Sequence, residues 1–369
     1  MALVLGAAVW APAAALAQGR GGGPPTRPPS ALRAVAAETT AAKAKNPTWT
    51  APKTAWGHPD LEGVWTSDDM RSVPTQRQAA MGTRTSLTPE EFARRAGGDE
   101  GSRDRAVNQE TILRNEWGVR TFGYSSLVVE PADGRIPAMT PAGLARRADR
   151  DQGTFGAGIF NGFEDFTLYD RCITRGIVGS VLPVLYGNGF KLLQTPDAVV
   201  ISYEMVHDTR VIYLDGRAHV GSNIHQYMGD SRGRWEGETL VVETTNLSDR
   251  TSIGANGNGT RHSTQMKITE RFTRIDPEMV DYVIRIEDPV TYTAPFTMRL
   301  TVTSQPDYEL YEYSCHEGNG AVSYALAGER NYEKQVEEAK AKGLPIPQRD
   351  RGSPYAPPVE GLEPVIIRQ

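Results

Sequence analysis

From about residue 180 to 327 the chain is a train of short segments in which apolar and polar residues alternate, separated by turn residues. A period of two sends successive side chains to opposite faces of a strand. "DAVVISYEMVH" puts Val199, Ile201, Tyr203, Met205 and His207 on one face, and Val200, Ser202, Glu204 and Val206 on the other. In "FTMRLTV", Phe296, Met298, Leu300 and Val302 oppose Thr297, Arg299 and Thr301. "TRVIYLDGRAH", "TLVVETT", "MKITERFTRI", "VDYVIRIED" and "DYELYEYSC" continue the pattern at the spacing of an antiparallel meander. Strands with one apolar face must bury it by closing on themselves or on another layer. The expected fold is therefore mainly β, an antiparallel barrel or curved sheet of about 8 strands.

The flanks are different. In "LTPEEFARR", Thr88 caps, Pro89 takes the first helical position and Glu91 completes a capping box; Thr140 and Pro141 repeat the cap in "MTPAGLARR". Residues 70–165 thus read as helical and loop decoration around a short strand near "SSLVVE". A charged closing helix is expected over 329–342, stopped by Gly343 and Pro345. A single β-rich domain then runs from 56 to 345, with a Pro-rich tail over 346–369.

The N-terminus is "MALVLGAAVWAPAAALAQ", an apolar run ending in Ala15-Leu16-Ala17. It reads as a signal peptide over 1–17, too short to span a bilayer and lacking the usual positive n-region, which an upstream start would supply. Residues 18–55 are rich in Gly, Pro and Ala and read as a disordered tether. The expected location is the periplasm or the extracellular space. There, the only two cysteines, Cys172 and Cys315, are expected to form a disulfide. With 40 Lys+Arg against 45 Asp+Glu and no basic block, nothing marks a nucleic-acid surface.

Gly229-Asp230-Ser231-Arg232-Gly233 spells the G-x-S-x-G of a nucleophile elbow. An elbow needs a helix directly after the serine, whereas here "RWEGETLVVETT" alternates like a strand. Asp230 to Gly233 is therefore read as a hairpin turn with Gly233 in the left-handed position, and Ser231 as no nucleophile.

"SSLVVEPADGRIPAMTP", "RCITRG", "GDSRGRWEGETLVVETTNLSDRT", "ITERFTRID" and "YEYSCHEGNGA" together resemble a widespread family of exported proteins of environmental bacteria. The resemblance spans about 120–330; it implies export and domain boundaries and carries no particular activity. The chain departs from the expected pattern at Tyr186–Gly189 and at Lys267. The "LEGVWT … WEGETLVVET … ITERFTR" succession is also similar to lipocalin-like (calycin) barrels.

Chemistry is sought first in "EMVHDTR". His207, on the apolar face, would act as general acid or base, Asp208 would orient it, and Arg210 would clamp an oxyanion or carboxylate. Tyr203 and Glu204 would contact substrate. The alternative is that His207 and Asp208 satisfy a turn and Arg210 pairs with a nearby acid. In "CHEGN", His316 and Glu317 form a second polar pair beside Cys315. Asp230 and Trp235, in a third cluster with Arg232 and Glu236, are further substrate contacts. The histidines lack zinc-ligand spacing, so no metal is expected, and no Gly-rich phosphate cradle appears, so no cofactor is expected. These residues suggest a cofactor-independent lyase, isomerase or hydrolase acting on a small organic or saccharide substrate. The alternative is a non-catalytic small-molecule-binding protein of the cell envelope. The oligomeric state is left open.

Overall fold

The computed structural model describes residues 33–35, 48–109, 118, 120–150, 160–257, 259–304 and 308–348. Residues 1–17, read as a signal peptide, most of 18–55, read as a tether, and most of the Pro-rich 346–369 lie outside them. Residues 48–55, within the tether as read from sequence, are placed: Ala51 is buried and Lys53 bridges Pro59. Arg33–Val35 (β1) pairs in parallel with Arg120–Phe122 (β3).

The protein is a closed, nine-stranded mixed β-barrel. In spatial order its staves begin with Met279–Glu287 (β13), Lys267–Asp276 (β12), Thr239–Thr245 (β9) and Asp230–Glu236 (β8). Thr209–Tyr213 (β7), Ala198–Tyr203 (β6), Gly189–Gln194 (β5), Gly63–Thr66 (β2) and Phe296–Thr303 (β14) complete the circuit. β14 closes it by pairing with both β2 and β13. Val128–Glu130 (β4) adds to the outside of the seam, on β14. Ser252–Ile253 (β10) and Thr260–Arg261 (β11) form a separate small hairpin.

The alternation seen in the sequence is the inside–outside alternation of the wall. Ile268, Glu270 and Phe272 of β12 stand opposite Ile286, Ile284 and Tyr282 of β13, and all six are buried. Val199, Ile201 and Tyr203 are likewise buried. The outer face of β14 is covered as well, since Tyr124 Oη lies 2.9 Å from Thr301 Oγ1 and Thr303 donates to Asp69 at 2.7 Å. The N-terminal segments therefore pack against the seam of the barrel. Their helices, Pro89–Gln109 and Pro141–Arg150, start as the sequence predicts. Thr88 N donates to Glu91 Oε2 at 2.8 Å, and Gly143 N to Thr140 Oγ1 at 3.0 Å. The closing helix is longer than expected, Ala321–Lys342, and Gly343 ends it in the left-handed region at φ 65°.

Three expectations are corrected. The wall is not wholly antiparallel: β7 and β8 run parallel, Ile212 beside Ser231, because the 214–229 segment carries the chain back before β8 begins. Asn246 Nδ2 holds that segment through the carbonyls of Gly221 and Ile224, both at 2.9 Å. Asp230–Gly233 is strand, not hairpin turn. Gly233 points inward, where a Cβ would stand 2.7 Å from Ile212 and 2.8 Å from Leu214. The turn falls four residues after Gly233, at Gly237, with φ 61°. Finally, "DYELYEYSC" forms no strand among its described residues, 308–315.

Candidate functional site

One end of the barrel carries "EMVHDTR", one of the segments that the sequence singled out. There β2 ends, β5 begins and β6 turns into β7. The 167–176 segment lies over this end. Its local order comes from Thr167, whose hydroxyl accepts Asp170 N at 3.1 Å, and Thr174, whose hydroxyl accepts Gly176 N at 2.9 Å. A wholly buried short helix, Gly176–Val181, follows. It packs so closely on the 255–257 turn that a Cβ at Gly179 would stand 2.1 Å from Gly257 N.

Arg175 precedes that helix and is 1% exposed. Its Nη1 donates to Gly187 O at 3.0 Å. Its Nε and Nη2 are buried without any hydrogen-bond partner. Asn188 fixes the loop that receives it, accepting Val184 N at 3.0 Å and donating to Asp68 Oδ1 at 2.6 Å. Around the guanidinium stand the phenols of Tyr169, Tyr186 and Tyr313, together with the Asp68 carboxyl. The three phenols lie close together, and the Tyr186 and Tyr313 rings stack with centroids 6.4 Å apart.

The Cys172–Cys315 disulfide, with 5.6 Å between Cα atoms, joins the segment bearing Tyr169 and Arg175 to the one bearing Tyr313. Asn319 Nδ2 reinforces the junction by donating to Asp170 O at 3.0 Å.

Burial dominates the electrostatics. It lowers Arg175 to about 10, still protonated at neutral pH, with the phenols and Asp68 pulling the other way. It pushes Tyr169 up to about 12 and Tyr313 higher still, so both remain protonated donors. It also raises Asp68 to about 6 against the pull of Arg71, and Asp170, whose carboxyl oxygens are buried without a partner, to about 6. A buried guanidinium with two idle donors is costly, by several kcal/mol for an uncompensated ion in ordinary protein interiors.

The residues expected to act together do not converge. β6 ends at Tyr203, and left-handed Val206 (φ 67°) and His207 (φ 44°) turn the chain outward, so His207 is exposed rather than facing the barrel interior. Asp208 is half-buried; burial raises its carboxyl and a Thr174 hydrogen bond opposes the rise. Arg210 lies inside the barrel, its two Nη atoms each 2.6 Å from Glu270, which also accepts Tyr282 Oη at 2.5 Å. That pairing leaves neither Nη for a substrate at the mouth. Tyr203 stands beside it in the same interior cluster, with its hydroxyl pushed up to about 12 by burial. Glu204 ties down the 308–311 segment, accepting from Tyr308 Oη and, at 3.0 Å, from Tyr311 N.

His316 and Glu317 are exposed. Asp230 accepts from Arg232 at 2.7 Å and Val220 N at 3.1 Å and bonds His219 Nδ1 at 2.8 Å, so it anchors the 214–229 segment. Trp235 packs against the core with its ring 5.3 Å from His58. Ser231 is an interior strand residue whose hydroxyl lies 2.8 Å from Thr244 Oγ1, and strand β9 follows it rather than a helix. Among the described residues no group of three or more His, Cys, Asp or Glu could hold a metal ion. No described helix is long and apolar enough to cross a membrane.

Sequence reasoning passed over Arg175, Tyr169, Tyr186 and Tyr313. The cysteines were the usable signal, since Cys172 lies between Tyr169 and Arg175, and Cys315 lies two residues after Tyr313. Compared with known proteins, the chain matches no family, no curated protein and no solved structure.

Proposed function

We propose that the protein is an exported small-molecule-binding protein whose ligand seats against Arg175, Tyr169, Tyr186 and Tyr313 at one end of the barrel. The observation that supports this most is Arg175, a buried cation with two donors left idle. Buried polar groups are almost always satisfied, and the exceptions mark places where a partner is expected. Export rests on the N-terminal sequence and accords with the disulfide. Crystals soaked with a mixed library of small organic fragments test the reading. Fragments ordered within the tyrosine ring support it; fragments found only elsewhere, or none at all, contradict it.

The acid/base enzyme is the second reading, favoured by one observation. Asp68 and Asp170, on the segments that build the site, are carboxyls held near 6, within reach of proton exchange near neutral pH. An enzyme of this kind would exchange carbon-bound protons of a bound carbonyl compound with solvent deuterium, which proton NMR detects as signal loss. A binding protein would leave those signals intact.

A further inference from the structure

We infer that the group recognised at this site is a carboxylate, held side-on by the Nε and Nη2 edge of Arg175 and by the hydroxyls of the three tyrosines. This rests on the binding reading above and names the chemistry of its ligand.

The geometry of guanidinium carries the argument. Its donors form a rigid planar fork, and two parallel N–H bonds along one edge match the two oxygens of a planar anion. Nη1 is already spent on Gly187 O. The two idle donors, Nε and Nη2, are the pair that share the side edge of the group. A lone hydroxyl or carbonyl would satisfy only one of them.

Charge narrows the class further. The site offers Arg175 and phenols that stay neutral, and the nearby Asp68 carboxyl is paired with its own cation, Arg71, at 3.3 Å. A monoanion balances Arg175. A phosphate dianion would leave net negative charge buried, which is strongly unfavourable.

The surroundings fit an apolar or aromatic body on that carboxylate. Each of the three tyrosines is only half-buried, so they lie between the guanidinium and solvent. Their chain neighbours Leu185 and Tyr311 are 52% and 51% exposed. The phenols would turn their hydroxyls to the incoming oxygens, and the ligand's ring or chain would rest on their faces.

Calorimetric titration and thermal shift of the full chain with sodium acetate, sodium benzoate, benzamide and inorganic phosphate test the inference. Benzoate is expected to bind and to raise the melting temperature, with acetate weaker, and benzamide and phosphate inactive. Arg175→Lys keeps a charge but loses the fork, so benzoate affinity should fall roughly tenfold or more. Tyr313→Phe keeps the ring and spares the fold should Arg175→Lys unfold; it should cost roughly threefold or more. Benzamide or phosphate binding as well as benzoate would overturn the carboxylate assignment while leaving the binding site standing. Silence from both carboxylates up to their solubility limits would overturn it too. Benzoate binding unchanged in both variants would overturn the carboxylate assignment and the site together.

Discussion

Cys172 and Cys315 are 143 residues apart in sequence and bonded in the fold, and through them Tyr169 and Arg175 on one segment meet Tyr313 on another. The bond joins the two halves of the candidate site as well as two ends of a long loop.

Breaking it should therefore act twice. Cys315→Ser is expected to lower stability by up to about 4–5 kcal/mol in the chain-entropy picture, read by thermal or denaturant unfolding. It should also abolish benzoate binding under conditions where the variant is still folded. The native protein should show no titratable thiol until reductant is added. Full ligand binding by the reduced, folded protein would show that the staple is structural only.

Glu270 is the counter-charge of buried Arg210, bonded to it at both oxygens. Glu270→Gln leaves the guanidinium uncompensated inside the barrel and should destabilise by about 3–5 kcal/mol. Because both Arg210 Nη atoms bond Glu270 while Arg175 bonds Gly187 O, benzoate affinity in the folded variant should stay at the wild-type level.

Gly233 faces inward against Ile212 and Leu214. Gly233→Ala should overpack the wall and cost about 1–3 kcal/mol in unfolding free energy. The neighbouring Ser231→Ala removes one buried hydroxyl pair with Thr244, about 0.5–1.5 kcal/mol, and a fluorophosphonate probe should not label the native serine.

Asp68 gives a pH signature. Burial lifts its carboxyl from 3.8 unfolded to about 6 folded. The folded state then holds the extra proton between those values, so this group's stabilisation is present below about pH 4 and lost as pH rises through about 6. The change is about 2–3 kcal/mol. Asp170 titrates over the same window, so Asp68→Asn should remove about half of that pH dependence in equilibrium unfolding at several pH values. An unaltered pH profile in the variant would assign the titration to another group.

The barrel was legible because its wall obeys a period of two, and that alternation alone puts Val199, Ile201 and Tyr203 on the inner face. The disulfide followed from the cysteine count and the expectation of export. The parallel β7–β8 pairing was not legible, since the path of residues 214–229 is set by contacts such as those of Asn246, distant in sequence. His207 misled for a local reason: β-branched Val206 adopts a left-handed conformation that its residue type disfavours, and the strand pattern breaks there. Arg175 sits among apolar residues in "CITRGIVG", and its importance lies in a missing partner, which only three-dimensional placement reveals.

The most direct test observes the Arg175 side chain itself. Its Nε–H resonance can be followed in 15N-labelled protein and assigned by its loss in Arg175→Lys. On titration with benzoate, that resonance should move downfield and saturate with the binding curve, while benzamide leaves it in place. An Nε–H signal that stays fixed while benzoate binds would contradict the account.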